Sequence, residues 1–159
     1  MRPADPAKPA VNLRDRFIHA QLEYGQWRRE SALLLMIACT TETARRRYPD
    51  LTEADAFARF VSDEMHNITL ASAERVDVEF EGKSLPLGEF LWLLATLRAA
   101  ADRRLPFATD FHADAVTWLR VTPTEVTLPD HLIEGLATAV ALAPENEAEF
   151  PPDPTDGGD

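Results

Sequence analysis

Leu13, Phe17, Ala20, Tyr24, Trp27, Leu34 and Ala38 recur at steps of three, four or seven, which places them on one stripe of an α-helix. Gly25 lies in the middle of that stripe and costs a helix about 1 kcal/mol relative to alanine. The spacing therefore predicts either one long helix or two helices that part near residue 25. Arg45, Arg46 and Arg47 stand where cations complement the negative end of a helix, and Pro49 closes the element. A second helix opens at Thr52, with Asp55 three residues on as a capping partner. It carries Leu51, Ala54, Ala58, Val61, Met65 and Ile68 on one face, widened by Phe57 and Phe60.

The period then falls from 3.6 to 2. Val76, Val78 and Phe80 alternate with Asp77, Glu79 and Glu81, Gly82 supplies a turn, and Leu85 and Leu87 follow, the pattern of a small β-hairpin. Pro86 removes a ladder donor and confines the second arm to a short or edge position. A third helix is predicted from Glu89 to about Arg104, with Phe90, Leu91, Leu94, Leu97 and Ala101 on one side and Trp92 and Leu93 on the other. From Asp110, read as an N-cap, Phe111, Ala115, Trp118 and Leu119 fall at helical spacing; Val121 to Leu128 then reads as an extended piece broken by Pro123. A last helix from about Pro129 carries Leu132, Ile133, Leu136, Val140 and Leu142 and stops at Pro144. The expected fold is α+β and predominantly helical: a bundle of four to five helices with one or two short hairpins.

Charge and composition alter this picture at the ends. Residues 1–10 hold three prolines and little to bury, and residues 144–159 hold six acids, no base and four prolines. The expectation is a disordered leader, one helical domain over 11–143, and an acidic, proline-rich disordered tail. With 45% hydrophobic and 27% charged residues the chain has an ordinary globular balance. Its net charge of −11 disfavours a nucleic-acid binder held by phosphate contacts. No apolar stretch approaches the roughly 20 residues of a membrane span, and no secretory signal pattern opens the chain. Cys39, the single cysteine, ends the apolar run Leu33–Cys39; it suits a reducing compartment, and the cytoplasm is expected. Arginine supplies 14 of the 16 basic residues, a bias in keeping with a bacterial source.

Candidate chemistry is sparse. Arg14-Asp15-Arg16-Phe17-Ile18-His19 is similar to the R-x4-H signature of HEPN ribonucleases. The resemblance covers six residues and implies a metal-independent ribonuclease acting as a dimer. Arg14 would stabilise phosphate charge and His19 would act as general acid or base. Here the motif opens the first helix, whereas the family carries it on a late one, and five positions set the two side chains well apart around a helix. Asp110, His112 and Asp114 would share one face of an extended strand and offer a divalent cation three ligands, whereas a helix would scatter them. Glu64 and His66, two apart on a helix, face different ways. Cys39 as a nucleophile would need His19, His66, His112 or His131 beside it, and its sequence neighbours are apolar. No glycine-rich phosphate loop, nucleophile elbow or paired-cysteine motif occurs, so no cofactor is expected.

What remains is surface for protein partners. The run Leu33–Cys39 is apolar all round, which marks a helix that is either central to the monomer or shared with a second copy. Trp27, Leu34, Leu35, Met36 and Trp92 are the candidate interface residues. The expectation is a noncatalytic interaction protein, such as an adaptor, an immunity or antitoxin-type inhibitor, or a small subunit, whose partner is another protein or itself as a homodimer.

Overall fold

Asn12 starts the first helix by accepting the Asp15 amide on its side-chain oxygen at 2.8 Å, a cap that satisfies one of the orphan donors of the first turn. The computed structural model describes residues 12–68, 77–80, 82–100, 108–112, 120–121, 125–129 and 131–151. Within them helix α1 covers Leu13–Gly25 and α2 covers Arg29–Arg47. The long apolar stripe thus parts at Gly25, and its phase is lost there. Leu13, Phe17 and Ala20 point inward on α1, whereas the buried face of α2 is Ala32, Leu33, Met36, Ile37, Cys39, Thr40, Thr43 and Ala44. Leu34 and Ala38, expected on the same inward stripe, are rotated to a half-buried flank. Trp27, the residue of the break, has φ +63° and is 78% exposed; its inward placement is corrected, because the turn that ends α1 carries it out of the helical register.

Helix α2 is the centre of the bundle and packs against α1, α3, α5 and α6. It tolerates buried hydroxyls because Thr40 and Thr43 donate to the carbonyls of Met36 and Cys39, four residues earlier, at 2.8 and 2.9 Å. Helix α3 (Glu53–Asp63) is capped as expected, Thr52 accepting the Asp55 amide. It buries Ala56, Phe57, Phe60 and Val61, and the run to Ile68 continues after Glu64 as a short helix α4 (Met65–Ile68). Helix α5 (Leu87–Ala100) turns Phe90, Leu91 and Leu94 inward. Helix α6 (His131–Leu142) turns Leu132, Ile133, Leu136, Ala139 and Val140 inward. Gly135 lets α6 lie directly on α4, since a Cβ there would sit 1.9 Å from the Ile68 carbonyl oxygen.

The predicted hairpin is present: β1 (Asp77–Phe80) pairs antiparallel with β2 (Lys83–Pro86) through Gly82 at φ +76°. A second sheet has the order β3-β5-β4. Its β4 (Arg120–Val121) and β5 (Glu125–Pro129) form the other expected hairpin, while β3 (Ala108–His112) runs parallel to β5. This overturns the helix expected to open at Asp110. Asp110, Phe111 and His112 are strand residues opposite Thr127, Leu128 and Pro129, so ladder pairing with a distant segment outweighs the local helical spacing. Residues 113–119 lie outside those described. Pro129 ends β5 and α6 opens at His131, two residues later than expected. The architecture is α+β and predominantly helical.

The chain after α6 departs furthest from expectation. Pro144–Asn146 form a 3₁₀ turn, and Asn146 is fully buried. Its Nδ2 donates to Thr43 Oγ1 at 2.8 Å and to the Val140 carbonyl at 2.9 Å, and its Oδ1 accepts from Arg46 at 3.0 Å. Phe150 lies edge-on to Phe17 with ring centroids 4.7 Å apart. The disordered tail expected from residue 144 is thus corrected over its first eight residues, which pack on α1 and α2; residues 152–159 and the leader 1–10 lie outside those described.

Two substitutions test this packing. Asn146→Ala leaves the Thr43 hydroxyl and the Val140 carbonyl without the donor, and a loss of about 2 kcal/mol in urea unfolding is expected. Gly135→Ala, which by helix propensity alone would gain about 1 kcal/mol, is expected to lose several, because overpacking forces α6 off α4. A melting temperature equal to or above that of the parent would contradict this contact.

Candidate functional site

The sides of α2 and α5 beside the core face one another across an open groove of about 710 Å³. Leu34, Ile37, Ala38, Thr41, Glu42 and Arg45 line it from α2, Trp92, Ala95, Thr96 and Ala99 from α5, and Arg16 from α1. Positions 34, 38, 41 and 45 recur at three- and four-residue steps, so one continuous side of α2 forms the wall. Alanines and threonines make up the middle of the lining, which leaves the space unfilled by side chains. Trp92 stands on the floor, its ring tilted against Phe57 at a centroid distance of 5.5 Å. Beyond Leu34 the groove continues into a hollow of about 500 Å³ lined by Glu30, Ser31, Leu34, Leu35 and Arg98. Arg98 Nε lies 3.0 Å from Glu30 Oε1, yet the buried Nε and Nη1 of Arg98 make no aligned hydrogen bond.

The opposite end of the groove is charged. Glu42 takes Arg16 at 3.6 Å on one side and Arg46 at 3.4 Å on the other. Arg45 approaches Glu53 at 3.5 Å with both side chains more than half exposed, an arrangement worth little in water. Arg45 and Glu42 also border a further hollow of about 360 Å³ with Arg46, Tyr48, Pro49, Leu51 and Glu53.

Next to this end the arginines of α2 hold the segment after α6. Arg46 donates to Glu149 at 2.7 Å. Arg47 grips both oxygens of Glu145 at 2.8 and 3.2 Å, donates to Glu64 at 2.8 Å, and stacks its guanidinium over Phe60 at 4.6 Å. Such two-point contacts are among the stronger ion pairs. Hydrogen bonding from Arg47 holds the Glu145 carboxyl below its ordinary value, and Arg46 does the same to Glu149. The arginine run, which helix-dipole complementarity alone accounted for in the sequence, is thus recruited by acids about a hundred residues away.

The residues nominated from sequence do not assemble into a catalytic set. Arg14 and His19 are exposed on the outer side of α1, and His19 Nε2 lies 3.3 Å from Glu23; neither lines the grooves described above. Cys39 is completely buried, and loss of solvent pushes its thiol up to about 12, a value that keeps it protonated and unreactive at neutral pH. Asp110 and His112 lie two positions apart on β3, while Asp114 lies outside the described residues. Among the described residues no group of three His, Cys, Asp or Glu side chains is placed to hold a metal. Glu64 is engaged by Arg47 and Asn67, and His66 is exposed.

Of the residues nominated for an interface, Leu34, Leu35 and Trp92 line the groove system. Met36 is 1% exposed and belongs to the core, because it falls on the α2 face turned toward the bundle. Trp27 stands alone at the α1–α2 corner, beside the Arg29 guanidinium at 4.5 Å. Arg16, Arg45 and Arg98 were not singled out by sequence as groove residues; only their interhelical placement reveals them. No protein-family model matches this chain, and no curated protein or solved structure is detectably similar to it. Among the described residues no helix is long and apolar enough to cross a membrane.

The ion pairs of Glu145 and Glu149 set a pH dependence. Their carboxyls titrate lower in the folded chain than in the unfolded one, so their stabilisation is complete above the unfolded value near 4.3 and is lost as pH falls through the lowered folded values. Urea titrations between about pH 5 and pH 3 should show stability declining in that window. The double variant Glu145→Gln/Glu149→Gln should be less stable at pH 6 and show a shallower decline. Parallel curves for parent and variant would contradict these pairs.

Proposed function

We propose that this chain is a noncatalytic protein-interaction protein whose partner inserts an apolar helical segment into the groove between α2 and α5. The single observation behind this reading is the groove itself, with Leu34, Ile37, Ala38, Trp92 and Ala95 unfilled between two helices and charged side chains gathered at its ends. From Leu34 to Arg45 the wall spans eleven residue steps, about 17 Å or three helical turns. That is the length over which a partner helix would present apolar residues at i, i+3, i+4 and i+7. The small lining residues give its backbone room to approach, and Trp92 offers the large apolar contact that tends to dominate binding energy. The adaptor, inhibitor and small-subunit readings all share this mode of action.

The test pairs capture with substitution. Bait protein in lysate of the native host is expected to retain a partner that Ala38→Glu and Leu34→Asp baits lose by tenfold or more. Both variants should keep the circular-dichroism spectrum of the parent, and Leu142→Asp, at an exposed site away from the groove, should keep the partner. Retention by both groove variants would overturn the assignment. The same reading expects no RNA cleavage by purified protein and identical behaviour of parent and His19→Ala. Cleavage that disappears with His19→Ala would replace it with the ribonuclease that the Arg14/His19 spacing resembles.

A further inference from the structure

We infer that the helix entering the α2–α5 groove is α2 of a second copy of this chain, the two helices lying antiparallel about a twofold axis near Ala38. The inference rests on the groove being the docking surface and names its occupant.

The side of α2 that forms the groove wall begins one turn before Leu34, at Glu30, which lines the hollow continuing the groove. Glu30, Leu34, Ala38, Thr41 and Arg45 lie within about 80° of one another around the helix and along about 22 Å of its length. Glu30 and Arg45 stand equally far from the middle of this row with opposite charge. Leu34 and Thr41 mirror each other inside them, and Ala38 is next to the centre.

A twofold contact demands such a row, because each residue must suit the one at its mirror position in the other copy. Antiparallel α2 helices set Glu30 against Arg45 of the partner subunit at both ends, whereas parallel helices would set like charge against like. Leu34 then enters the space beside Thr41 of the partner subunit, and Ala38 at the crossing lets the helix axes approach closely. A helix of unrelated sequence would need no mirrored row.

The neighbouring charges obey the same polarity. Glu30 holds Arg98 at 3.0 Å, and Glu42 lines the groove three residues before Arg45. The Glu30–Arg98 end of one copy thus lies against the Glu42–Arg45 end of the other. Arg45 approaches Glu53 at 3.5 Å with both side chains more than half exposed, a contact weak enough in water to yield to a pair shielded at an interface. Trp92 and Ala95 line the groove from α5 and add apolar contact beside the helix pair, tryptophan being enriched in interface cores. The charge of −11 on each copy does not prevent pairing, because physiological salt screens charges more than about 8 Å apart.

Light scattering on the full chain tests this. The parent at tens of micromolar is expected at twice its mass of 17.7 kDa, and Ala38→Glu is expected to be monomeric with an unchanged circular-dichroism spectrum. Glu30→Arg and Arg45→Glu should each weaken self-association by about tenfold or more, since each sets like charges together at both ends. Mixed in equal amounts, the two variants should recover the parent's dimer, because one chain then presents two cations and the other two anions. A monomeric parent, a dimer indifferent to Ala38→Glu, or a mixture no more associated than its components would overturn the inference. If the parent is monomeric while Ala38→Glu and Leu34→Asp abolish capture from lysate, the docking surface stands and self-pairing falls. If neither variant changes the dimer or the capture, both fall.

Discussion

The buried carboxamide of Asn146 is the point at which the two ends of the fold are tied. A fully desolvated amide must find partners or cost more than it contributes. Here the partners come from two helices: Thr43 and, one turn later, Arg46 near the end of α2, and the Val140 carbonyl near the end of α6. Satisfying all three requires the chain to turn sharply after Leu142 and lie back across α2. Once it does, Glu145 and Glu149 fall beside Arg47 and Arg46, and Phe150 reaches Phe17 on α1. One polar residue thereby joins α1, α2 and α6 at one end of the bundle.

The same tie shapes the surface. The arginines of the last turn of α2 divide into two sets: Arg46 and Arg47 are drawn toward the returning segment, while Arg45 is left facing the groove and the hollow beside it. Glu42 stands between them and holds Arg16 and Arg46 at once. The charged end of the groove and the clasp are therefore one electrostatic unit. At the other end, Arg98 and Glu30 form a close pair at 3.0 Å.

Much of the helical framework was legible in the sequence because it depends on short-range chemistry. Thr52 and Asp55 announced the start of α3, Gly82 the hairpin turn, and Gly25 the place where the first stripe divides. The apolar run Leu33–Cys39 marked a helix either central to the monomer or shared with a second copy, and within the chain α2 packs against α1, α3, α5 and α6. The misreadings share one cause. Asp110 carried a good local helix signal, but its segment pairs in parallel with β5 seventeen positions later, and parallel ladders leave no turn signature between partners. Residues 144–151 read as tail because acids and prolines resemble a solvated chain, and nothing local reveals that arginines await them a hundred positions earlier.

The sequence by itself determined most of the helical segments, which hairpins close, and that familiar catalytic motifs are scarce, since propensity, capping and turn geometry act between neighbours. The tertiary structure alone decided which side of each helix is spent on the core and which is left open. Leu34 and Met36 are two positions apart with similar hydrophobicity, yet Met36 is interior and Leu34 lines the groove. The break at Trp27 set the rotation of α2, and the rotation chose between them. The groove, its arginine rim and the clasp beside it arise from that choice, because they consist of residues brought together across helices rather than along the chain.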